Sequence, residues 1–126
     1  MAGDFGISRV DLKTKAVQPL AKANAEIIAA SLDGLYFYRN TLVGIQNGIH
    51  PGRVVRFYLD ATLTKITRWE ILESYNPLFE NPTTGSLYGN SLLFFANTQS
   101  HKITFGQPLP PVDTLHEIKI LQLSLD

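Results

Sequence analysis

Cysteine is missing from this chain altogether. Disulfides, thiolate metal sites and cysteine nucleophiles are excluded with it. Net charge is missing too, because eleven basic residues balance eleven acidic ones. Neither a nucleic-acid backbone nor an anionic membrane is favoured as a partner. The longest clean apolar run is Leu92-Leu93-Phe94-Phe95-Ala96, far short of the roughly 20 residues a helix needs to cross a bilayer. Met1-Ala2-Gly3-Asp4-Phe5 lacks a basic region followed by an apolar core, so no secretory signal is read there and the cytoplasm is the default location. No phosphate-cradling glycine loop and no nucleophile elbow around Ser86 or Ser91 is present, since both need spacings this sequence does not contain. The aromatics sit inside apolar stretches rather than among basic residues, which speaks against stacking on nucleic-acid bases.

What is there is β-chemistry. At 126 residues, 44% hydrophobic and 17% charged, the composition suits one folded domain spanning 1–126. Short apolar stretches recur between turn signals. Leu35-Tyr36-Phe37-Tyr38 stops at Arg39-Asn40, and Leu42-Val43-Gly44-Ile45 stops at Asn47-Gly48. Residues Val54 to Leu59 alternate sides with the period of a strand, and Asp60-Ala61-Thr62-Leu63 turns the chain. Lys65 to Ser74 alternates as well, although Ile66, Trp69 and Leu72 also sit at helical spacing. Ala21 to Ser31 is alanine-rich and locally helix-prone, so it reads as a loop or an entering strand only because of its place between strands. The prolines at 77, 82, 108, 110 and 111 mark connections, and 101–114 reads as a long surface loop. Ile118 to Leu125 alternates again and is expected to be the last strand.

The stretches repeat. Thr41 to Asn47 matches Ser91 to Asn97, and Asp33-Gly34-Leu35-Tyr36 matches Thr84 to Tyr88 with one residue of slip. Val54 to Leu59 matches Ile7 to Leu12 before it and Ile118 to Leu123 after it. A repeat of about 40 to 50 residues with four strands each is the signature of a β-propeller. The expected fold is therefore all-β, a partial propeller of about two four-stranded antiparallel blades. Outer strands of one blade are expected at 6–20, a whole blade at 31–73, and an incomplete or closing blade at 83–125. The alternative is a small sandwich of two packed sheets. Two blades cannot close a ring, so self-association or further blades supplied from elsewhere is the expected remedy.

The quoted residues resemble a blade of the senescence-marker-protein, gluconolactonase and luciferin-regenerating-enzyme superfamily. They are Asp33-Gly34-Leu35, Leu42 through Gly48, Pro51, Arg53 through Phe57, Leu59, Ile71-Leu72-Glu73, Asn76-Pro77, Phe79, Pro82-Thr83, Gly85, Leu92 through Asn97, and Gln99. The likeness runs from about residue 27 onward and resembles the C-terminal blades of that fold. What the resemblance implies is a lactone or ester hydrolase acting on a small-molecule substrate, with a divalent cation such as calcium or magnesium on the propeller axis. Hard oxygen ligands suit such ions, and an open coordination position polarises a carbonyl or acidifies a water. Asp33 stands where that family carries a metal-ligating aspartate that also serves as a base. The next repeat holds Thr83 and Thr84 there, so the ligand set would need residues from other blades.

Each candidate also has a plain structural reading. Asp33-Gly34 is ordinary turn chemistry. Asn47 and Asn97 end equivalent strands and either line a channel or cap turns, Asn47-Gly48 being a hairpin signal. His50, His101 and His116 share no metal-ligand spacing and read as surface residues. Arg53 and Arg56 either hold an anion or pair in solvent with Asp60 or Glu70, and Trp69 packs between blades. Two functional expectations follow: a non-catalytic propeller segment acting as scaffold or interaction surface, and part of a metal-dependent lactone hydrolase.

Overall fold

A computed structural model of the chain describes residues 2–3 and 6–126. The segment read above for a secretory signal lies mostly outside these residues. Eleven strands are described: β1 Ala2–Gly3, β2 Gly6–Val10, β3 Val17–Pro19, β4 Ala21–Lys22, β5 Leu32–Tyr38, β6 Thr41–Gln46, β7 Arg53–Leu59, β8 Lys65–Ser74, β9 Gly85–Tyr88, β10 Ser91–Phe95 and β11 Ile120–Ser124. The helical pieces described are two single 3₁₀ turns, Ser100–Lys102 and Val112–Thr114. No described helix is long and apolar enough to cross a membrane. The fold is all-β.

Three sheets form rather than the two of a sandwich. The first has the order β1-β2-β3, the second β4-β8-β7-β6-β5, and the third β11-β10-β9. The second is an antiparallel meander of β5 to β8 with the short β4 added in parallel at the β8 edge. Lys65–Ser74 is thus a strand of ten residues. Its helical spacing loses because β7 offers a full antiparallel ladder, Arg56 opposite Glu70 and Phe57 opposite Trp69. The alanine-rich stretch forms no helix. After Lys22 it crosses from the outer edge of the second sheet to the start of β5, with Ile27 and Ala29 buried. Gln46, itself fully buried, donates to the carbonyls of Ile28 and Ala30 at 2.8 Å each and fixes that crossing. The side-chain amide supplies the partner that a buried irregular backbone would otherwise lack.

The core has two halves, one on each face of the second sheet. On one face Val55, Phe57 and Ile66 pack with Ile7 of the first sheet and with Ile27 and Ala29. Phe57 and Trp69 stack at 6.3 Å between ring centroids. On the other face Val43, Ile45 and Val54 pack with Leu92, Phe94 and Leu125 of the third sheet. The second sheet is thereby covered on both sides and the outer two on one side each.

The repeat is visible in the hydrogen bonding. Tyr38 pairs with Thr41 across a two-residue loop, and Tyr88 pairs with Ser91 in the same way. This register aligns Asp33 with Thr83, so the sequence match of Leu35-Tyr36 to Leu87-Tyr88 is out by two. Thr41 pairs with Tyr58, as Ser91 pairs with Ser124. Leu59 N–H donates to Asn40 O as Leu125 N–H donates to Asn90 O. Val54 therefore aligns with Ile120 and not Ile118, and β11 starts two residues later than the alternation suggested. The first sheet carries the same turn: Asp11 N–H donates to Ala16 O and Asp60 N–H to Lys65 O. Each of these aspartates then caps its turn by accepting two backbone N–H bonds, from Lys13 and Thr14 or from Thr64 and Lys65. By the same register Asp126 occupies the third of these positions.

Candidate functional site

Asp33 lies on a β-bulge. Leu32 pairs with Gln46 and Gly34 with Ile45, which leaves Asp33 unopposed on β5. A bulge bends its strand and re-aims the extra side chain. Here the exposed carboxylate comes to the strand ends, where Oδ2 accepts from Asn47 Nδ2 at 2.8 Å and from the Thr83 hydroxyl. A Cβ on Gly34 would stand 2.8 Å from the Tyr36 hydroxyl oxygen, so a side chain there would push that ring aside. That hydroxyl accepts from Gly85 N–H at 2.5 Å and lies 3.1 Å from Thr84 Oγ1. The start of β5 is thus tied to the segment entering β9.

The structure brings Asp33 and Asn47 together and places Asn97 elsewhere. Asn97 is buried, donates to Glu117 O at 2.7 Å, and accepts from Lys119 N–H at 2.6 Å. It holds the return of the long 96–119 connection to β11. Asn47 and Asn97 end equivalent strands, yet the longer second loop closes over one of them.

The divalent cation implied by the resemblance can be tested against these donors. Asp33 brings one carboxylate, and Asn47 and Thr83 present N–H and O–H to it. Such donors satisfy a carboxylate rather than share a cation with it, and calcium takes six to eight oxygens. This group does not by itself fit the ion, and no chemical step is derived through one. Among the described residues no set of three or more His, Cys, Asp or Glu has the arrangement to hold a metal.

A second cluster was not foreseen. Glu80 Oε1 accepts from Lys102 Nζ at 3.0 Å and lies 3.5 Å from His101 Nε2, while Oε2 lies 3.0 Å from His116 Nδ1. The Lys102 hydrogen bond, with His116 behind it, holds the Glu80 carboxyl below its ordinary value. Two histidines read as unrelated surface residues are gathered on one carboxylate by the 96–119 loop. Glu80 and His101 also border a cleft of about 340 Å³ whose other walls include Asn47, His50, Tyr75 and Asn81. Both Tyr75 and Asn81 hold positive φ, 56° and 62°, uncommon for a bulky residue such as tyrosine.

Arg53 and Arg56 are not solvated as expected. Arg53 Nε donates to Gln46 Oε1 at 2.8 Å and its guanidinium lies over Trp69, 5.1 Å from the ring centroid. Arg56 donates to Leu125 O at 2.6 Å and lies over Tyr38 at 5.9 Å. Its contact with Glu70 is long, 3.9 Å. Trp69, half-buried, packs against the cluster that holds Ile7, Ile27, Val55 and Phe57. Comparisons with protein-family models, curated proteins and solved structures return no match to this chain.

Proposed function

We propose that this chain is an arc of a β-propeller of the gluconolactonase-like kind that acts as a scaffold or interaction segment rather than as a catalyst. One observation carries the reading. The face of the second sheet bearing Tyr38, Val43, Ile45 and Val54 is covered by the third sheet. The equivalent face of the third sheet bears Tyr88, Leu93, Phe95 and Ile120, with Tyr88 74% and Ile120 62% exposed. A face built to be covered and left open is a binding surface. The shared register of the sheets supports a propeller arc, as does the repeated crossing from an outer to an inner strand. A groove of about 390 Å³ beside β2, floored by Leu35, Phe37 and Leu42, suits the inner strands that the first sheet would carry as counterparts of β5 and β6.

Sedimentation velocity across a wide concentration range tests this. Association that grows with concentration is expected, and a monomer at every concentration overturns the scaffold reading. Calcium or magnesium is expected to leave the thermal midpoints of wild type and Asp33→Ala unmoved. A cation-dependent rise in wild type that Asp33→Ala abolishes would instead assign the site to metal binding.

A further inference from the structure

The long connection between β10 and β11 carries a segment that the packing of the sheets does not use. In Gln107-Pro108-Leu109-Pro110-Pro111 every residue is a proline or precedes one. Proline fixes φ at about −65° and drives the residue before it out of the helical region. The sequence therefore holds this stretch to polyproline II geometry, and Pro111 has φ −54° and ψ 138°. A helix of this kind has about three residues per turn, so Pro108 and Pro111 share one edge and Leu109 stands on a second. Pro110 stands on the third, and it is the one residue from 103 to 120 that is not exposed. One edge is thus held against the protein and the other two face solvent. Leu109 is 75% exposed, and Val112, just beyond the segment, is 84% exposed.

The ends of the loop are fixed while the segment is free to be read. Buried Gln99 accepts from His116 N–H at 2.8 Å and from Lys102 Nζ at 3.1 Å. Lys102 donates to Thr114 O at 3.2 Å, and Thr114 N–H donates to Pro111 O at 2.9 Å. The carbonyls of Pro108, Leu109 and Pro110 accept no hydrogen bond from the described residues. Prolines have no N–H to give, so the segment can neither extend a sheet edge as a strand nor enter a groove as a helix. Asp113 is the only charged residue from 103 to 115, so neither a phosphate nor an acidic peptide would be drawn to it.

We propose that Pro108 to Val112 is a docking site for a partner domain that reads polyproline II helix with an aromatic-lined groove. The Pro108–Pro111 edge and Leu109 seat between the aromatic rings of the groove, and the free carbonyls accept from its indole or phenol donors. Because the nearest charge is that of Asp113, the rim of the groove is neutral or basic rather than acidic. The anchored loop presents the segment already ordered, which lowers the entropy lost on binding. This surface shares no residue with the open face of β9–β11, and the oligomeric state of the chain does not decide it.

Isotope-labelled full chain titrated with three purified probes tests this: a WW domain, an EVH1 domain and an acidic-rimmed SH3 domain. The WW or the EVH1 domain is expected to bind with a dissociation constant below about 1 mM, and the SH3 domain about tenfold or more weaker. The amide signals of Gln107, Leu109, Val112 and Asp113 are expected to move. Pro108→Ala and Pro111→Ala change exposed residues, so circular dichroism is expected to match wild type. Each is expected to weaken binding about tenfold or more, through loss of an anchor in the groove. Phe105→Ser removes an exposed aromatic outside the segment and is expected to bind as wild type does. If neither the WW nor the EVH1 domain binds, or binding survives both proline variants, the proposal is overturned while the scaffold reading stands. If Phe105→Ser loses binding as the proline variants do, the contact is general apolar adhesion and the proposal falls. Phosphatidylcholine vesicles are the last arm. Capture of the chain on vesicles with no binding to the domains would assign the loop to lipid and overturn the proposal.

Discussion

The second and third sheets are built on one plan and differ in what covers them. Both open with a hairpin of identical register, Tyr38 opposite Thr41 and Tyr88 opposite Ser91. Ile45 and Phe95 hold the same position in the two hairpins. Ile45 is fully buried and Phe95 is 36% exposed, although phenylalanine is the larger apolar residue. Burial here is decided by the neighbouring sheet and not by the hydrophobicity of the side chain. Truncating the two should separate these causes. Ile45→Ala is expected to cost about 2–5 kcal/mol, through lost transfer energy and an unfilled cavity. Phe95→Ala should cost about 1 kcal/mol or less in the dilute monomer, close to surface behaviour. Urea unfolding of both variants checks the ratio, and equal losses would remove the distinction between covered and open faces.

Glycine separates the two hairpins next. A Cβ on Gly85 would stand 2.0 Å from the Leu93 carbonyl oxygen and 2.8 Å from Phe94 Cα, both backbone atoms. A Cβ on Gly44 would meet Leu32 Cδ2 at 2.4 Å, the far end of a flexible side chain. Gly85→Ala must shift the β9–β10 ladder and is expected to cost about 1–3 kcal/mol. Gly44→Ala should cost visibly less, because Leu32 can turn aside. Loss of amide-exchange protection confined to β9–β11 in Gly85→Ala would locate the damage.

The two-residue loops are a smaller contrast. Arg39 and Asn40 both hold positive φ, 44° and 62°, the signature of a type I′ hairpin turn. The third sheet places Gly89 at +58° instead. Nothing lies within 4 Å of a Cβ built on Gly89, so Gly89→Ala carries only the strain of the left-handed conformation, about 1 kcal/mol. Thermal unfolding would show it as a small drop in midpoint.

Much of this could be read from residue order alone. Alternation placed β7, apolar stretches between turn signals and their repetition placed β6 and β10, and turn chemistry placed the Arg39-Asn40 and Asp60 corners. The register of β11 could not be read, because the β10–β11 connection at 96–119 is far longer than the β6–β7 connection at 47–52 and breaks the spacing of the repeat. The same loop hid two parts of the site. It buries Asn97 against its own return, and it delivers His101 and His116 to Glu80 from places with no shared spacing. Arg53 and Arg56 misled for a different reason. Strand alternation gives the side a residue faces but not whether that side is covered, and Gln46, Trp69 and Tyr38 supply the partners that solvent was expected to give.

The smallest expected effect concerns the turn aspartates at equivalent corners of the sheets. Hydrogen bonds from the Thr62 hydroxyl and from the Thr64 and Lys65 amides hold the Asp60 carboxyl at about 2. Asp126 is lowered by Tyr38 and Asn90, with Arg39 and Arg56 adding charge. Each folded value lies below that of the unfolded chain, about 3.9 for aspartate. Each therefore contributes stability that is fully present above that unfolded value and is lost as pH falls through the folded one. Asp60→Asn should be less stable than wild type at neutral pH, and the gap should narrow between about pH 4 and about 2. Asp126→Asn should show the same sign with one difference. Arg39, which pairs with it at 2.8 Å, is exposed, so added salt should shrink that share of its effect, whereas the hydrogen bonds on Asp60 should leave that gap unchanged. Urea midpoints against pH at low and high salt would read both, and a salt-sensitive Asp60 would place its stabilisation in charge rather than in the turn.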